Sequence, residues 1–275
     1  MIKRILVGIG GTPYTPVAIR RSVELARLHG AELTATTVFD VREMAHVGAA
    51  AMGVSSATQE LRDYRLKVGR KKIEQSLADF ESACTAAAVS HTVCHETDDP
   101  FTLMASLSRY HDLMVFGLRK IFDVGFGLDP PDVLARLVEQ GVRPILAVPD
   151  QFRPIHRVLM AYSGSAESAK TIKRFVQMQL WPDLTCQLVT CSNSAEEAKR
   201  RLTDMSAYCR AHGVEVETLH LPGSPRQRIL AHAEHWNADL IVLGKSARSY
   251  FMRKIFGETA LHVIEHSDRT LFLAY

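Results

Sequence analysis

The chain has 275 residues, 47% of them hydrophobic and 23% charged, a balance that excludes a disordered tail, a fibre and a mini-protein and suits roughly two domains. Lys and Arg number 33 against 30 Asp and Glu, a formal charge of +3, and the basic residues are scattered along helices, so charge gives a nucleic-acid partner no support. Apolar runs such as Leu240 to Leu243 fall far short of the roughly 20 residues that span a bilayer, and the five cysteines (Cys84, Cys94, Cys186, Cys191, Cys209), odd in number and without a C-x-x-C, read as reduced thiols of a cytoplasmic protein.

Lys3 and Arg4 lead into an apolar run, Ile5 to Ile9, that stops at glycines with no small-residue cleavage site after it, which predicts a first strand and no signal peptide. After the second strand, a stretch of about 25 residues, rich in Ala, Gly and Ser from Val47 to Thr58, predicts a loop leading into a long second helix. Asp99-Pro100 opens a third helix, and His111-Asp112-Leu113-Met114-Val115-Phe116-Gly117 is a fourth strand. That segment then reappears as Ala238-Asp239-Leu240-Ile241-Val242-Leu243-Gly244. Lys3 to Gly11 likewise matches His156 to Gly164, and Val138 to Val148 matches Ile264 to Ala274. The chain therefore holds two copies of one domain, 1–150 and 151–275, joined by the short polar junction Pro149 to Pro154.

In the second copy, strands are predicted near 156–162, 184–190, 214–220, 239–244 and 270–274. Its first helix places Ala169, Ile172 and Val176 on one face and Lys170, Lys173 and Arg174 on the other. Ser224-Pro225 is an N-cap followed by a proline at the first helical position. Strands without strict alternation, each followed by an amphipathic helix, require a parallel sheet covered on both faces. The fold class is thus α/β: two repeated, doubly wound, five-stranded parallel-sheet domains. The apolar ends Ile145 to Val148 and Leu271 to Ala274 are predicted to lie against each other.

One spacing carries chemistry. Gly244, Lys245, Ser246 and Ala247 are followed by nine residues, Arg248 to Phe256, and then by Gly257, Glu258 and Thr259. In this register, and in its paired first and last strands, the chain resembles the universal stress protein family in its tandem two-domain form. The resemblance covers nearly the whole chain and implies an adenine-nucleotide-hydrolase-like, Rossmann-like fold. It also implies a G-x-x-G, nine-residue, G-Ser/Thr loop that offers backbone N–H groups and a helix N-terminus to phosphates, with glycines where the backbone approaches closely. By that resemblance the candidate nucleotide-binding residues are Ser163, Gly164, Gly244, Lys245, Ala247, Arg248, Gly257, Glu258 and Thr259.

The residue types depart from the family pattern. Ala247 replaces the second glycine, where a left-handed backbone costs about 1–2 kcal/mol. Glu258 stands where the family has a hydroxyl, and a carboxylate about 4 Å from a phosphate charge is repelled by roughly 4 kcal/mol at an effective dielectric of about 20. Thr259, Lys245, Arg248, Arg253 and Lys254 compensate in part. Family nucleotide binders carry an Asp at the end of the first strand, where this chain has Gly10 and Ser163. In the first copy the same register puts Lys120 and Pro130 at glycine positions, so that copy is expected to be nucleotide-free.

Other constellations carry less. Ser163-Gly164-Ser165-Ala166-Glu167-Ser168 resembles the S-G-G-x-D-S turn of adenylating enzymes, with both diagnostic positions replaced; Ser165 also reads as a plain N-cap with Ser168 at N3. His91 and His95 are roughly 13 Å apart on a strand, with Cys94 facing the other side. His232 and His235 share a helix face without an evident third ligand. Trp181 and Trp236 read as packing residues. Neither a catalytic residue nor a metal ligand is assigned, and no cofactor is fixed beyond ATP as the candidate for the C-terminal domain. The sequence reading is a stress-associated, non-catalytic binding or regulatory protein; the alternative is an ATP-binding or slowly ATP-hydrolysing protein using the C-terminal domain, and a third reading is an adenylating enzyme. Because single-domain family members commonly pair through their final strands, the resemblance implies an intramolecular pseudo-dimer of the two copies, a homodimer as a further step, and an unidentified regulatory protein partner.

Overall fold

The computed structural model describes residues 2–37, 56–94, 100–118, 144–244 and 257–274. The loop expected from Val47 therefore falls outside the described residues up to position 55, as do Asp99, Lys120 and Pro130. The chain folds as two compact units, Lys3–Val142 and Arg143–Tyr275, the latter together with Met1–Ile2.

In the first unit the described elements are β1 (Arg4–Ile9), α1 (Thr15–His29), β2 (Glu32–Thr37), α2 (Ser56–Ala86), β3 (His91–Cys94), α3 (Pro100–Ser108) and β4 (Leu113–Gly117). All pairings among these strands are parallel. β1 runs beside β2 with Arg4 opposite Glu32 and beside β4 with Ile5 opposite Leu113, and β2 carries β3 on its other side. β1 is buried along every residue after Arg4 and β4 along its whole length, which is why neither shows the alternation of a half-exposed strand. Helix α1 presents Val17, Ala18, Ser22, Leu25 and Ala26 to the interior and ends where Gly30 turns left-handed, its N–H returning to the Ala26 carbonyl.

The second unit contains β5 (Ile145–Val148), β6 (Arg157–Ala161), α4 (Ala166–Met178), β7 (Thr185–Cys191), α5 (Ala195–Ala211), β8 (Val216–Leu221), α6 (Pro225–His235), β9 (Leu240–Leu243), α7 (Gly257–His266) and β10 (Thr270–Leu273). Its sheet runs in the order β5-β10-β9-β6-β7-β8. The strands are parallel except β5, which runs antiparallel to β10 with Leu146 opposite Phe272. The five strands predicted for the second copy are present, and the two apolar strand ends meet as expected. The first copy's terminal strand nevertheless groups with the second unit. Its four buried residues find in β10 an edge whose N–H and C=O groups would otherwise go unpaired.

The internal repeat extends to individual hydrogen bonds. Asp112 Oδ2 accepts the backbone N–H groups of Lys3 and Arg4 at 2.7 and 3.0 Å, and Asp239 Oδ2 accepts those of His156 and Arg157 at 3.0 and 2.8 Å. In each repeat the arginine then reaches to a carbonyl three or four residues before the fourth strand, Arg4 to Tyr110 at 3.1 Å and Arg157 to Trp236 at 2.9 Å. The Asp shared by the two seven-residue matches is therefore a clamp between the first and fourth strands of each repeat. Trp236 also faces the Arg157 guanidinium, 5.6 Å from its ring centre, while Trp181 is buried.

All five cysteines are free thiols. Burial pushes Cys84, Cys191 and Cys209 up to about 11 and Cys186 up to about 12, so at pH 8 each is thiolate in about one part in a thousand or less. Titration of the folded protein with a chromogenic disulfide at pH 8 is expected to consume at most one thiol rapidly, that of half-buried Cys94. The other four should react only in denaturant. Two or more fast equivalents would show that burial does not keep these thiols protonated.

Candidate nucleotide crevice at the ends of β6 and β9

Strands β6 and β9 are neighbours, paired from Val158 opposite Leu240 to Ala161 opposite Leu243. From β6 the chain winds outward through β7 to β8 and then returns to the other side at β9. Their C-terminal ends thus flank the point where the winding reverses, the place where open α/β sheets leave a crevice.

On the β6 side the chain turns through Ser163 and Gly164 into α4. Gly164 has φ +80°, a conformation glycine adopts without steric cost. The N-cap is Ser165, whose hydroxyl accepts the Ser168 N–H at 3.1 Å, as the sequence predicts. Around it three hydroxyls form a closed cluster: Ser163 Oγ lies 3.0 Å from both Ser165 Oγ and Ser168 Oγ, and those two are 3.2 Å apart. Ser168 donates to the Ser165 carbonyl at 3.0 Å and accepts the Ser163 N–H at 3.3 Å. Ser168 is buried and Ser163 exposed, so the cluster reaches from the core to the open end of the crevice. One turn further along α4, the Thr171 hydroxyl lies against the Glu167 carbonyl at 2.9 Å and against the Ala274 carbonyl, which ties the helix to the end of β10.

On the β9 side, Gly244 packs directly on the first turn of α4. A Cβ there would stand 2.5 Å from Ser168 Cα and 3.0 Å from the Glu167 carbonyl oxygen. This glycine therefore sets how closely β9 approaches the capped helix. Gly257 begins α7; Glu258 is exposed in its first turn and Thr259 is half-buried. A carboxylate in a first helical turn is favoured by the helix dipole by about 0.3–1 kcal/mol. Lys245, Ala247, Arg248, Arg253 and Lys254 lie outside the described residues.

Arg201 was not singled out by the sequence. It stands one turn after Glu197 on α5, and its Nη2 bonds Glu197 Oε1 at 2.5 Å. Its guanidinium overlies the Gly164 turn so closely that a Cβ on Gly164 would meet Arg201 Nε at 2.4 Å. Nothing in the local spacing announces this, because the contact joins residues far apart in sequence. The neighbouring Tyr162 phenol is raised by burial and by Asp204, against the opposing pull of Arg201. The crevice thus offers hydroxyls, a helix N-terminus and a guanidinium part-neutralised by Glu197, groups that suit an anionic ligand.

The remaining sequence candidates have ordinary partners. His91 packs edge-on against Phe80 at 5.6 Å and its Nδ1 lies 3.1 Å from the Val89 carbonyl; His95 is outside the described residues. His232 Nε2 lies 2.6 Å from Gln187 Oε1, with the His235 ring 6.5 Å away.

The model of the universal stress protein family matches residues 1–121 and 192–273, a segment in each repeat and most of the chain. The chain belongs to the universal stress protein family. Universal stress protein Slr1230 of Synechocystis sp. is 24% identical over 284 aligned positions, covering 97% of this chain and 98% of that protein. A universal stress protein from Archaeoglobus fulgidus has a similar structure, with a TM-score of 0.66 at 17% identity over 99% of this chain and 96% of that one. A functionally unknown protein from Pseudomonas aeruginosa gives a TM-score of 0.63 at 14% identity over 99% and 92% of the two chains. At these identities the structural likeness speaks for the fold, a tandem Rossmann-like arrangement. The family segments include Gly244 and Gly257 to Thr259 but not the Ser163–Ser168 turn. Among the described residues, no helix is long and apolar enough to cross a membrane.

Proposed function

We propose that this universal stress protein is a stress-associated binding and regulatory module that does not turn over a substrate, with its ligand site in the second unit at the ends of β6 and β9. The observation that carries the reading is the hydrogen bonding of Ser163, Ser165 and Ser168. Their hydroxyls are taken up by one another, by the Ser168 N–H and by the Ser165 carbonyl. Such bonding makes a rigid helix cap and a preformed cradle, whereas a nucleophilic serine needs a base within hydrogen-bond reach. An adenylating enzyme is disfavoured on other grounds, because Ser165 and Glu167 replace the second Gly and the Asp of its phosphate-holding turn. The antiparallel pairing of β5 with β10 supports an intramolecular pseudo-dimer of the two repeats, and a regulatory protein partner is the reading that fits a binding module.

A second reading, ATP binding or slow ATP hydrolysis at the same crevice, is favoured by the close seating of Gly244 on the helix cap and by its spacing from Gly257 and Thr259. Glu258 is its main obstacle. In the full chain, Glu258→Ser combined with Ala247→Gly would remove the repulsion of roughly 4 kcal/mol and the cost of about 1–2 kcal/mol that the family register assigns to these two positions when a phosphate is bound. Calorimetric titration with ATP and Mg²⁺ is expected to show binding at least about tenfold tighter than the parent's, since a difference of about 1.4 kcal/mol already suffices for that factor. If the double variant binds no better than the parent, the crevice is not a latent phosphate site and the nucleotide reading is lost.

A further inference from the structure

Helix α7 ends in a group of side chains that the crevice does not use. His262, Glu265 and His266 stand at the i, i+3 and i+4 positions of one helix face, so the two imidazoles stack one turn apart with ring centres 4.3 Å from each other. One potential ligand atom from each of the three residues lies within 4.8 Å of the other two. His266 Nδ1 lies 2.9 Å from the His262 carbonyl and 3.8 Å from Glu265 Oε2. With Nδ1–H donating to that carbonyl, the tautomer is set and the Nε2 lone pair is left for a ligand role, the backbone-oriented arrangement common among metal-binding histidines.

A second, independent observation points to a missing partner. His262 Nδ1 is buried and has no hydrogen-bond partner among the described residues. A buried ring nitrogen left without a partner forfeits a hydrogen bond it would have made to water, and a bound water or an ion would satisfy it. The location is also favourable, because the last turn of a helix carries the negative end of its dipole and attracts cations.

We propose that His262, Glu265 and His266 form a surface site for a divalent transition-metal ion of the zinc class. Two imidazoles and one carboxylate suit zinc and its harder-binding neighbours nickel and copper, and they do not suit calcium or magnesium, which take oxygen ligands. Bonds of about 2.0–2.2 Å place tetrahedral ligands about 3.3–3.6 Å apart. Ligand atoms that lie within 4.8 Å of one another would need to draw together by about an ångström to share an ion, with water completing the coordination. The Arg226 guanidinium of α6 bears on His262. It opposes a dication there. The site is independent of the nucleotide crevice, and its test does not depend on any nucleotide.

The test uses the full chain, purified without a histidine tag and stripped with a chelator. Calorimetric titration with zinc chloride is expected to show one saturable equivalent at micromolar concentration. Cobalt(II) added in its place should develop the visible ligand-field bands of a four-coordinate site. His266→Ala and His262→Ala should each weaken zinc binding by about tenfold or more, with Glu265→Gln less severe, while His235→Asn leaves it unchanged. His266 and Glu265 are exposed, so their variants keep the fold, and circular dichroism verifies it. Zinc uptake that is not saturable, or that survives His266→Ala and Glu265→Gln undiminished in folded protein, overturns the proposal.

Discussion

Replacing Phe272 by alanine is expected to cost about 3–5 kcal/mol of stability, the range for removing a large aromatic side chain from a packed core. Phe272 is fully buried in β10, opposite Val242 of β9 on one side and Leu146 of β5 on the other. Its ring meets Phe175 of α4 edge to face, with centres 5.2 Å apart. The substitution thus empties a position shared by three strands and the helix that caps the crevice. Urea unfolding should show a midpoint lower by at least about 1 M, and Phe272→Leu should recover part of the loss. A loss under about 1 kcal/mol would mean that the ring is not where the core is densest.

Gly244→Ala is expected to destabilise by about 1–3 kcal/mol through overpacking. The added methyl would meet the backbone of Ser168 and Glu167, which cannot rotate away as a side chain could. Relief requires β9 and α4 to part, and that would disturb the Ser163, Ser165 and Ser168 cluster. The expected signature is therefore a lowered urea midpoint together with weakened binding of any anion in the crevice. Gly213 makes a useful contrast: its φ is +76° and a Cβ there would meet nothing within 4 Å. Gly213→Ala should cost only the conformational penalty of a left-handed alanine, about 1–2 kcal/mol, and should leave the crevice untouched. If Gly244→Ala behaves in the same way, the close contact with α4 is not what fixes this position.

The fold was legible because burial is written into short apolar runs. Val158 to Ala161 and Leu240 to Leu243 are continuous hydrophobic stretches since both faces of their strands are covered, and the repeat between His111–Gly117 and Ala238–Gly244 doubled the signal. Helix α4 likewise shows its buried Ile172, Phe175 and Val176 against exposed Lys173 and Arg174. Caps were legible in position more than in chemistry. Ser165 caps with its hydroxyl as expected, whereas Ser224 occupies the N-cap of α6 without a side-chain cap bond; there, Pro225 at the first helical position supplies the helix start. The candidate site was read in part. Gly244 stands out in the sequence as a place of close backbone approach, and the backbone it lies against here is the first turn of α4. Arg201 was invisible because its contact with Gly164 depends on how α5 lies over the turn after β6, which no local spacing encodes. The His262, Glu265 and His266 group is legible by the helical i, i+3, i+4 rule, but that spacing is common on solvated helix faces and does not by itself mark a site.

The pairing of β5 with β10 changes where this chain can be cut. A fragment starting at residue 151, the natural choice from the junction at Pro149 to Pro154, would lack β5 and would carry Leu271, Phe272 and Leu273 on an open strand border. Such a border is a template for intermolecular strand addition, so the fragment would be prone to associate with itself or with any extended peptide in solution. A fragment that retains Ile145–Val148 brings its own shield. The four-residue segment at the end of the first repeat is therefore an intrinsic plug for the second, supplied in cis by the chain's own connectivity.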